Sequence, residues 1–288
     1  MELMEKFIEQ AQKHPLKIVY PEGTDERILK ASSKVKELNI ADPVIIGEYD
    51  EIKKIADKLG VSVNGIEIIS PQTNNEKIEE YAEKYAGSRD VKTAVARRVV
   101  KKPISYAGMM VKTGDADGMV AGVATATAAV IQYASLTIGF QKGISTPSSF
   151  FIMEIADYLG RQNQIFIFAD CAVNISPDSR QLAEIGVTSG ENARALLGIE
   201  PKIAFLSFAT KGSANHEDVD KVRDAVRIAK EIKPELDIDG ELQADAAIVP
   251  RVADKKVKQS SVAGQANVLI FPDLNAGNIS YKLVQYLA

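Results

Sequence analysis

The sequence carries one cysteine, Cys171, and two histidines, His14 and His216. A single thiol excludes an internal disulfide framework and a zinc site built on several cysteines. Two histidines make a His-rich metal site a poor expectation, and no metal site is expected. Ser-His or Cys-His nucleophilic chemistry also has few candidates. An excess of one charge is missing too: 35 Lys+Arg against 39 Asp+Glu leaves −4. That excludes a broad polyanion-binding surface, so no nucleic-acid partner is expected, while a local basic pocket stays open. No run reaches the roughly 18 apolar residues of a membrane helix. The longest candidate, 116–140, is broken by Asp117 and Gln132. The start, MELMEKFIEQAQKHPLK, has Leu3, Phe7 and Ala11 at helical spacing in place of a signal peptide's uninterrupted apolar stretch. The expectation is a soluble, cytoplasmic protein with no membrane partner.

What is present is ordinary for a globular protein: 45% hydrophobic and 26% charged residues. A length of 288 residues suggests about two domains. Short β-branched runs alternate with longer helical ones. Lys17–Tyr20 reads as a strand, followed by Pro21-Glu22-Gly23; Thr24 or Asp25 can then cap a helix to about Leu38. Strands follow at Pro43–Ile46 and Ile66–Ile69, with a helix over 50–59 that Gly60 can stop. Two polar helices are expected near 75–86 and 90–101, then a strand at Asp117–Ala121 and a helix at Thr125–Ile138. This order implies a largely parallel sheet with right-handed crossovers.

The texture changes at about 143–148, where the domain boundary is placed: 1–145 and 146–288. Phe150–Ile155 and Gln164–Ala169 flank a turn-rich 157–162 and read as an antiparallel hairpin. Alternation resumes with a helix over 178–197 ended by Gly198, a buried strand at Lys202–Phe208 and a helix over 217–232. A strand at Asn267–Phe271 and a helix over 276–287 complete the chain.

Five segments carry candidate chemistry. Ser207, Thr210, Lys211, Gly212 and Ser213 lie between a strand and a helix, where free N–H groups and the helix dipole can cradle an anion; a plain Gly/Ser connection is the alternative. Thr125 and Thr127 follow Asp117–Gly122, and strand ends are where open α/β sheets bind ligands; helix capping with close packing is the alternative. Asp170 and Asn174 leave a strand and can orient a ligand or satisfy a turn, while Cys171 between them reads as a buried, inert thiol. Asp239, Glu241 and Asp245 can hold Mg²⁺ or act as acid and base, or form a solvated turn and helix start. Asn275, Asn278 and Tyr281 put a polar stripe on the first turns of the last helix, beside a strand end.

Taken in order, KIVYPEGTDERIL (17–29), ADGMVAG (116–122), SSFFIM (148–153), FADCAVNISPDSRQLAEI (168–185), GIEPKIAFLSFATKGSA (198–214), IDGELQADAAIVP (238–250) and GQANVLIFPDLNAGNISYKLVQ (264–285) run nearly end to end along the chain. In these segments the sequence resembles the phosphate acetyl/butyryl transferase family. The resemblance implies two three-layer α/β/α domains with a cleft between them, similar to isocitrate dehydrogenase, and a homodimer. It implies acetyl-CoA + phosphate ⇌ acetyl phosphate + CoA, with coenzyme A as substrate, no bound cofactor, and direct acyl transfer in a ternary complex. A carboxylate takes the thiol proton; a serine and arginines stabilise carbonyl and phosphate charge. The family's Ser-Arg turn and the C-terminal segment returning to the first domain lie beyond Ala288, so no catalytic residue is assigned.

The sequence departs from the family pattern at several cations. Gln132 stands where a phosphate-binding arginine is common, Tyr286 where another often follows a Tyr-Lys-x-x-Gln run (281–285 here), and Glu83-Lys84-Tyr85-Ala86-Gly87 in an arginine-rich stretch. Gln and Tyr donate hydrogen bonds but form no charged bidentate clamp. Arg89, Arg97 and Arg98 are the candidate replacements. Acetyl transfer is the first expectation. The alternatives are propionyl or butyryl transfer, or a non-catalytic module binding acetyl-CoA or acyl phosphate. The substrate-side candidates are Thr125, Thr127, Gln132, Ser207, Thr210, Lys211, Gly212, Ser213, Asn278 and Tyr281, with Asp170 and Asn174 weaker.

Overall fold

The computed structural model describes residues 3–288, which divide into two compact units, one ending at Gly139 and the other Phe140–Ala288. The first unit runs α1 (Leu3–Lys13), β1 (Leu16–Tyr20), α2 (Glu26–Glu37), β2 (Ala41–Ile46), α3 (Tyr49–Leu59), β3 (Glu67–Ile69), α4 (Asn75–Arg89), α5 (Thr93–Val100), α6 (Pro103–Thr113), β4 (Gly118–Met119) and α7 (Thr127–Thr137). Its sheet is parallel throughout, in the order β3-β2-β1-β4. Successive side chains of a strand face opposite ways. Val19, Val44 and Ile46 therefore pack under α4, α5 and α6, while Ile45 packs with Leu29, Ile52 and Ala56 from α2 and α3. A parallel sheet covered on both faces reads as the continuous apolar runs seen in the sequence.

Local signals set most boundaries. Asp25, not Thr24, caps α2, accepting from Arg27 N at 2.9 Å. Gly60 ends α3 with φ of 66°, a conformation glycine adopts without strain. The polar stretch after β3 holds three helices where two were expected. Pro103 starts the additional one, α6, because its missing N–H costs nothing in a first helical turn. The strand expected at Asp117–Ala121 is only two residues long in its ladder, and the helix expected from Thr125 starts at Thr127. Between the two elements, residues 122–125 give their N–H groups to the Glu22 side chain.

The second unit runs β5 (Phe150–Tyr158), β6 (Arg161–Ala169), α8 (Ser179–Leu197), β7 (Lys202–Leu206), α9 (Glu217–Ile232), β8 (Asp237–Leu242), α10 (Ala244–Ile248), α11 (Pro250–Lys256), β9 (Val268–Ile270) and α12 (Leu274–Leu287). Sheet order is β5-β6-β9-β7-β8, parallel except for β5, which pairs antiparallel with β6. The turn-rich 157–162 is no loop. The strands continue to Tyr158 and Arg161, and Leu159-Gly160 alone turn the chain, with φ of 52° and 79°. Two central residues at positive φ match the twist of a hairpin. Ile167, Ile203, Phe205, Val268 and Ile270 face α8 and α9, while Phe168, Ala204, Leu206 and Leu269 face the opposite side with Leu242, Ala247 and Phe271. Asp178 and Gln181 form a capping box at the start of α8, and Gly198 ends it at φ of 64°. Asp273 caps α12, accepting from Ala276 N at 2.9 Å, so the helix starts at Leu274.

Candidate functional site

β1 and β4 are parallel neighbours, so the segments leaving them emerge side by side at the carboxyl end of the first sheet. Glu22 follows β1. Its Oε2 accepts from Gly122 N and Val123 N at 2.9 Å each, and its Oε1 from Ala124 N at 2.9 Å and Thr125 N at 2.7 Å. Partial burial opposes the charge, yet the four donors outweigh it and lower the Glu22 pKa. Arg27 donates to Val123 O at 3.0 Å while gripping Asp25 through Nε at 3.0 Å and a terminal nitrogen at 2.8 Å. That pairing holds the Asp25 carboxyl at about 2. Thr125 ends the clamped segment, half-buried, and Thr127 stands exposed in the first turn of α7.

Gln132 is exposed on α7. Of the candidate arginines, Arg89 donates to the Ser135 carbonyl and to Leu136 O at 2.9 Å, near the carboxyl end of the same helix. Arg97 pairs with Glu79 through Nε at 2.6 Å, and Arg98 lies exposed. Two lysines reach this helix: Lys102, whose Nζ sits 5.6 Å from the Tyr133 ring centre and donates to its hydroxyl at 3.3 Å, and Lys112, which donates to Ile138 O at 3.0 Å.

Most backbone donors of the Ser207–Ser213 loop are already taken. Ser207 N donates to Leu242 O, Ala209 N to Ser207 Oγ, Thr210 N to Ser213 Oγ and Ser213 N to Thr210 O. Lys211 N goes to Glu241 O at 3.1 Å, and Gly212 N to Glu241 Oε1 at 2.7 Å. The Lys211 ammonium is bound to Asp239 and donates to Gly240 O at 3.0 Å. The helix beyond starts only at Glu217, with His216 as cap and Glu217, Asp218 and Asp220 in its first turn. The anion cradle expected here is thus filled by the protein's own carboxylates. Lys211 keeps φ of 46° and Gly212 φ of 86°, and the loop turns on this left-handed pair.

Asp239 and Glu241 are strand residues of β8, neither a solvated turn nor a metal cluster. Both are almost fully buried. Asp239 accepts from Ser260 Oγ at 2.5 Å, and Glu241 accepts from Arg223 Nε at 3.1 Å and a terminal nitrogen at 3.2 Å. Burial raises both pKa values, but the Lys211 and Arg223 partners more than offset it and leave both lowered. Among the described residues no group of three His, Cys, Asp or Glu side chains is placed to hold a metal ion.

Asp170 and Asn174 sit after β6, and both tie down backbone. Buried Asp170 takes the Ser149 hydroxyl, Ala172 N at 2.9 Å, Val173 N at 3.1 Å and Asn174 N at 2.8 Å. Asn174 Nδ2 donates to Pro147 O at 2.7 Å. Cys171 is fully buried, and burial pushes its thiol up to about 12. The polar stripe on α12 divides: Asn275 is exposed, Asn278 Nδ2 donates to Cys171 O at 3.1 Å, and Tyr281 stacks on Phe151 with ring centres 4.2 Å apart. Gly277 permits the approach, since a Cβ there would lie 2.5 Å from Asp170 O.

The residues missed from sequence are Glu22, Arg27 and Glu184. Buried Glu184 in α8 accepts Ser145 N at 2.9 Å and Thr146 N at 3.1 Å. All three lie in segments that carry the family resemblance, but nothing local shows what their side chains hold, because each partner segment is about a hundred or about forty positions away.

The chain matches the model of the phosphate acetyl/butaryl transferase family over residues 2–288. It is 48% identical over 291 residues to the phosphate acetyltransferase of Thermoanaerobacterium thermosaccharolyticum, covering 100% of this chain and 88% of the relative. The phosphate acetyltransferase of Bacillus subtilis is 43% identical over 274 residues, covering 94% and 82%. A solved phosphotransacetylase from Streptococcus pyogenes superposes with a TM-score of 0.89 at 39% identity, covering 99% of this chain and 85% of that one. This chain belongs to the phosphate acetyl/butyryl transferase family.

Proposed function

We propose that this protein transfers an acetyl group reversibly between coenzyme A and inorganic phosphate. The observation that carries the reading is the match of residues 2–288 to the family, joined to 48% identity with a phosphate acetyltransferase along the whole chain. In the direction of acetyl-CoA synthesis, the CoA sulfur attacks the acetyl phosphate carbonyl. A C–S bond forms, the C–O bond to phosphate breaks, phosphate leaves with the electron pair, and the thiol proton passes to a base. Cys171 is not an acyl carrier in this scheme: with its thiol fully buried and its pKa at about 12, almost none is thiolate at neutral pH. Direct transfer between two bound substrates accounts for the reaction without it.

On the phosphate side, Thr125 and Thr127 are the favoured groups. Thr125 ends a segment whose backbone is already fixed, and Thr127 is exposed at the first turn of α7, where hydroxyl and dipole favour an anion. Coenzyme A enters as a substrate; the reaction needs no resident cofactor. A cytoplasmic homodimer acting on small molecules completes the reading. Among the described residues no helix is long and apolar enough to cross a membrane.

The test is acyl-CoA formation from acetyl, propionyl and butyryl phosphates with CoA. Acetyl phosphate is expected to turn over fastest. No turnover with any of the three, alongside measurable CoA binding, overturns the enzymatic reading in favour of a binding module. Thr127→Val is expected to raise KM for acetyl phosphate about tenfold, with the unfolding midpoint little changed.

A further inference from the structure

The Glu22 carboxylate takes four consecutive backbone N–H groups, two on each oxygen, at 2.7–2.9 Å. An ionised carboxylate has about four acceptor directions, so all are used. Four adjacent N–H groups converging on one point form the kind of concavity that binds anions. Here the anion is internal. The segment it closes, Gly122–Thr125, has almost no regular bonding of its own: it follows a two-residue strand and precedes a helix starting at Thr127. Gly122 sits at φ of 109°. Glu22 itself is held firmly. The next residue, Gly23, packs so close to β2 that a Cβ would meet Ile46 O at 2.5 Å. Arg27 adds a second grip on the same segment through Val123 O at 3.0 Å.

We propose that Glu22 is a positioning residue of the transfer reaction: its carboxylate fixes the 122–125 segment and thereby sets Thr125 and Thr127 against the acyl phosphate. The inference rests on the phosphate-side reading of those threonines. Glutamine cannot replace the carboxylate, since an amide has one accepting oxygen and its NH₂ would face two N–H donors. The shape is kept and the clamp is half undone.

The experiment is a kinetic cycle on the whole protein with Glu22→Gln, Thr127→Val and the double variant, with Thr125→Val alongside. Glu22→Gln is expected to raise KM for acetyl phosphate about tenfold and to leave KM for CoA within about twofold. The double variant is expected to be no worse than the worse single, because Glu22 acts through the segment that leads into Thr127. A purely structural role lowers the folded fraction, and so apparent kcat, without moving either KM. A folded Glu22→Gln protein with unchanged KM for acetyl phosphate overturns the proposal, as does strict additivity in the double variant. Silent Thr125→Val and Thr127→Val variants instead overturn the phosphate-side reading. Should Glu22→Gln fail to fold, Glu22→Ala assayed with added formate replaces it. Formate filling the vacated N–H groups and lowering KM for acetyl phosphate supports the proposal; formate raising thermal stability with KM unmoved overturns it.

Discussion

At the scale of single residues, charge in this protein is spent on holding backbone. Glu22, Asp170, Glu184 and Glu241 each accept N–H groups from a loop, and Asp239 and Glu241 each add a cation from elsewhere in the chain. Asp115 shows the consequence for pH. It accepts from the Tyr81 hydroxyl at 2.6 Å, Lys77 Nζ at 2.9 Å and Thr113 Oγ1 at 2.8 Å. Burial opposes its charge, but these donors prevail and hold its pKa at about 2 against an ordinary 3.8. A carboxylate with a lowered pKa stabilises the fold fully above its unfolded value and loses that contribution as pH falls. The urea midpoint of the wild type is therefore expected to drop between pH 3.8 and about 2, and Asp115→Asn to flatten that part of the curve. Cys171 gives a second check. Fully buried, it is expected to resist a thiol reagent in the native protein and to react in urea, and Cys171→Ala is expected to keep transferase activity.

At the scale of elements, packing is set where helices come closest to strands or to each other. Gly186 in α8 lies so near Phe205 that a Cβ would sit 2.3 Å from the ring. Neither can move freely inside a core where both are buried. Gly186→Ala is expected to destabilise by about 1–3 kcal/mol, read as a lower urea midpoint. Gly108 plays the same part between α6 and α7, where a Cβ would sit 2.1 Å from Thr137 Oγ1. Asp178→Ala removes the cap of α8 and its capping box, at an expected cost of about 1 kcal/mol. Elements such as α3 and α8 were legible in the sequence because both period and stop signals were local: Gly60 and Gly198 end them. The start of α7 was not. Nothing between residues 120 and 127 says that the N–H groups there are claimed by a side chain about a hundred positions earlier.

At the scale of the whole molecule, each unit has cores of its own on both faces of its sheet. Phe205→Ala is expected to cost about 3–5 kcal/mol. Its effect on amide hydrogen exchange is expected to concentrate in residues 140–288, with the slowest amides of 3–139 least affected. Equal acceleration throughout would show the two units unfolding as one.

The sequence by itself determined the alternation of strand and helix, the parallel character of the sheets and the family, since apolar period, glycine stops and ordered motifs are properties of neighbouring residues. Only the tertiary structure decided which donors and charges remain free. The 207–213 loop looks like an anion site in one dimension, and it is closed in three because Asp239 and Glu241 arrive from the adjacent strand β8. A hydrogen bond has no sequence length. The groups that satisfy a loop are set by which strands the fold places side by side.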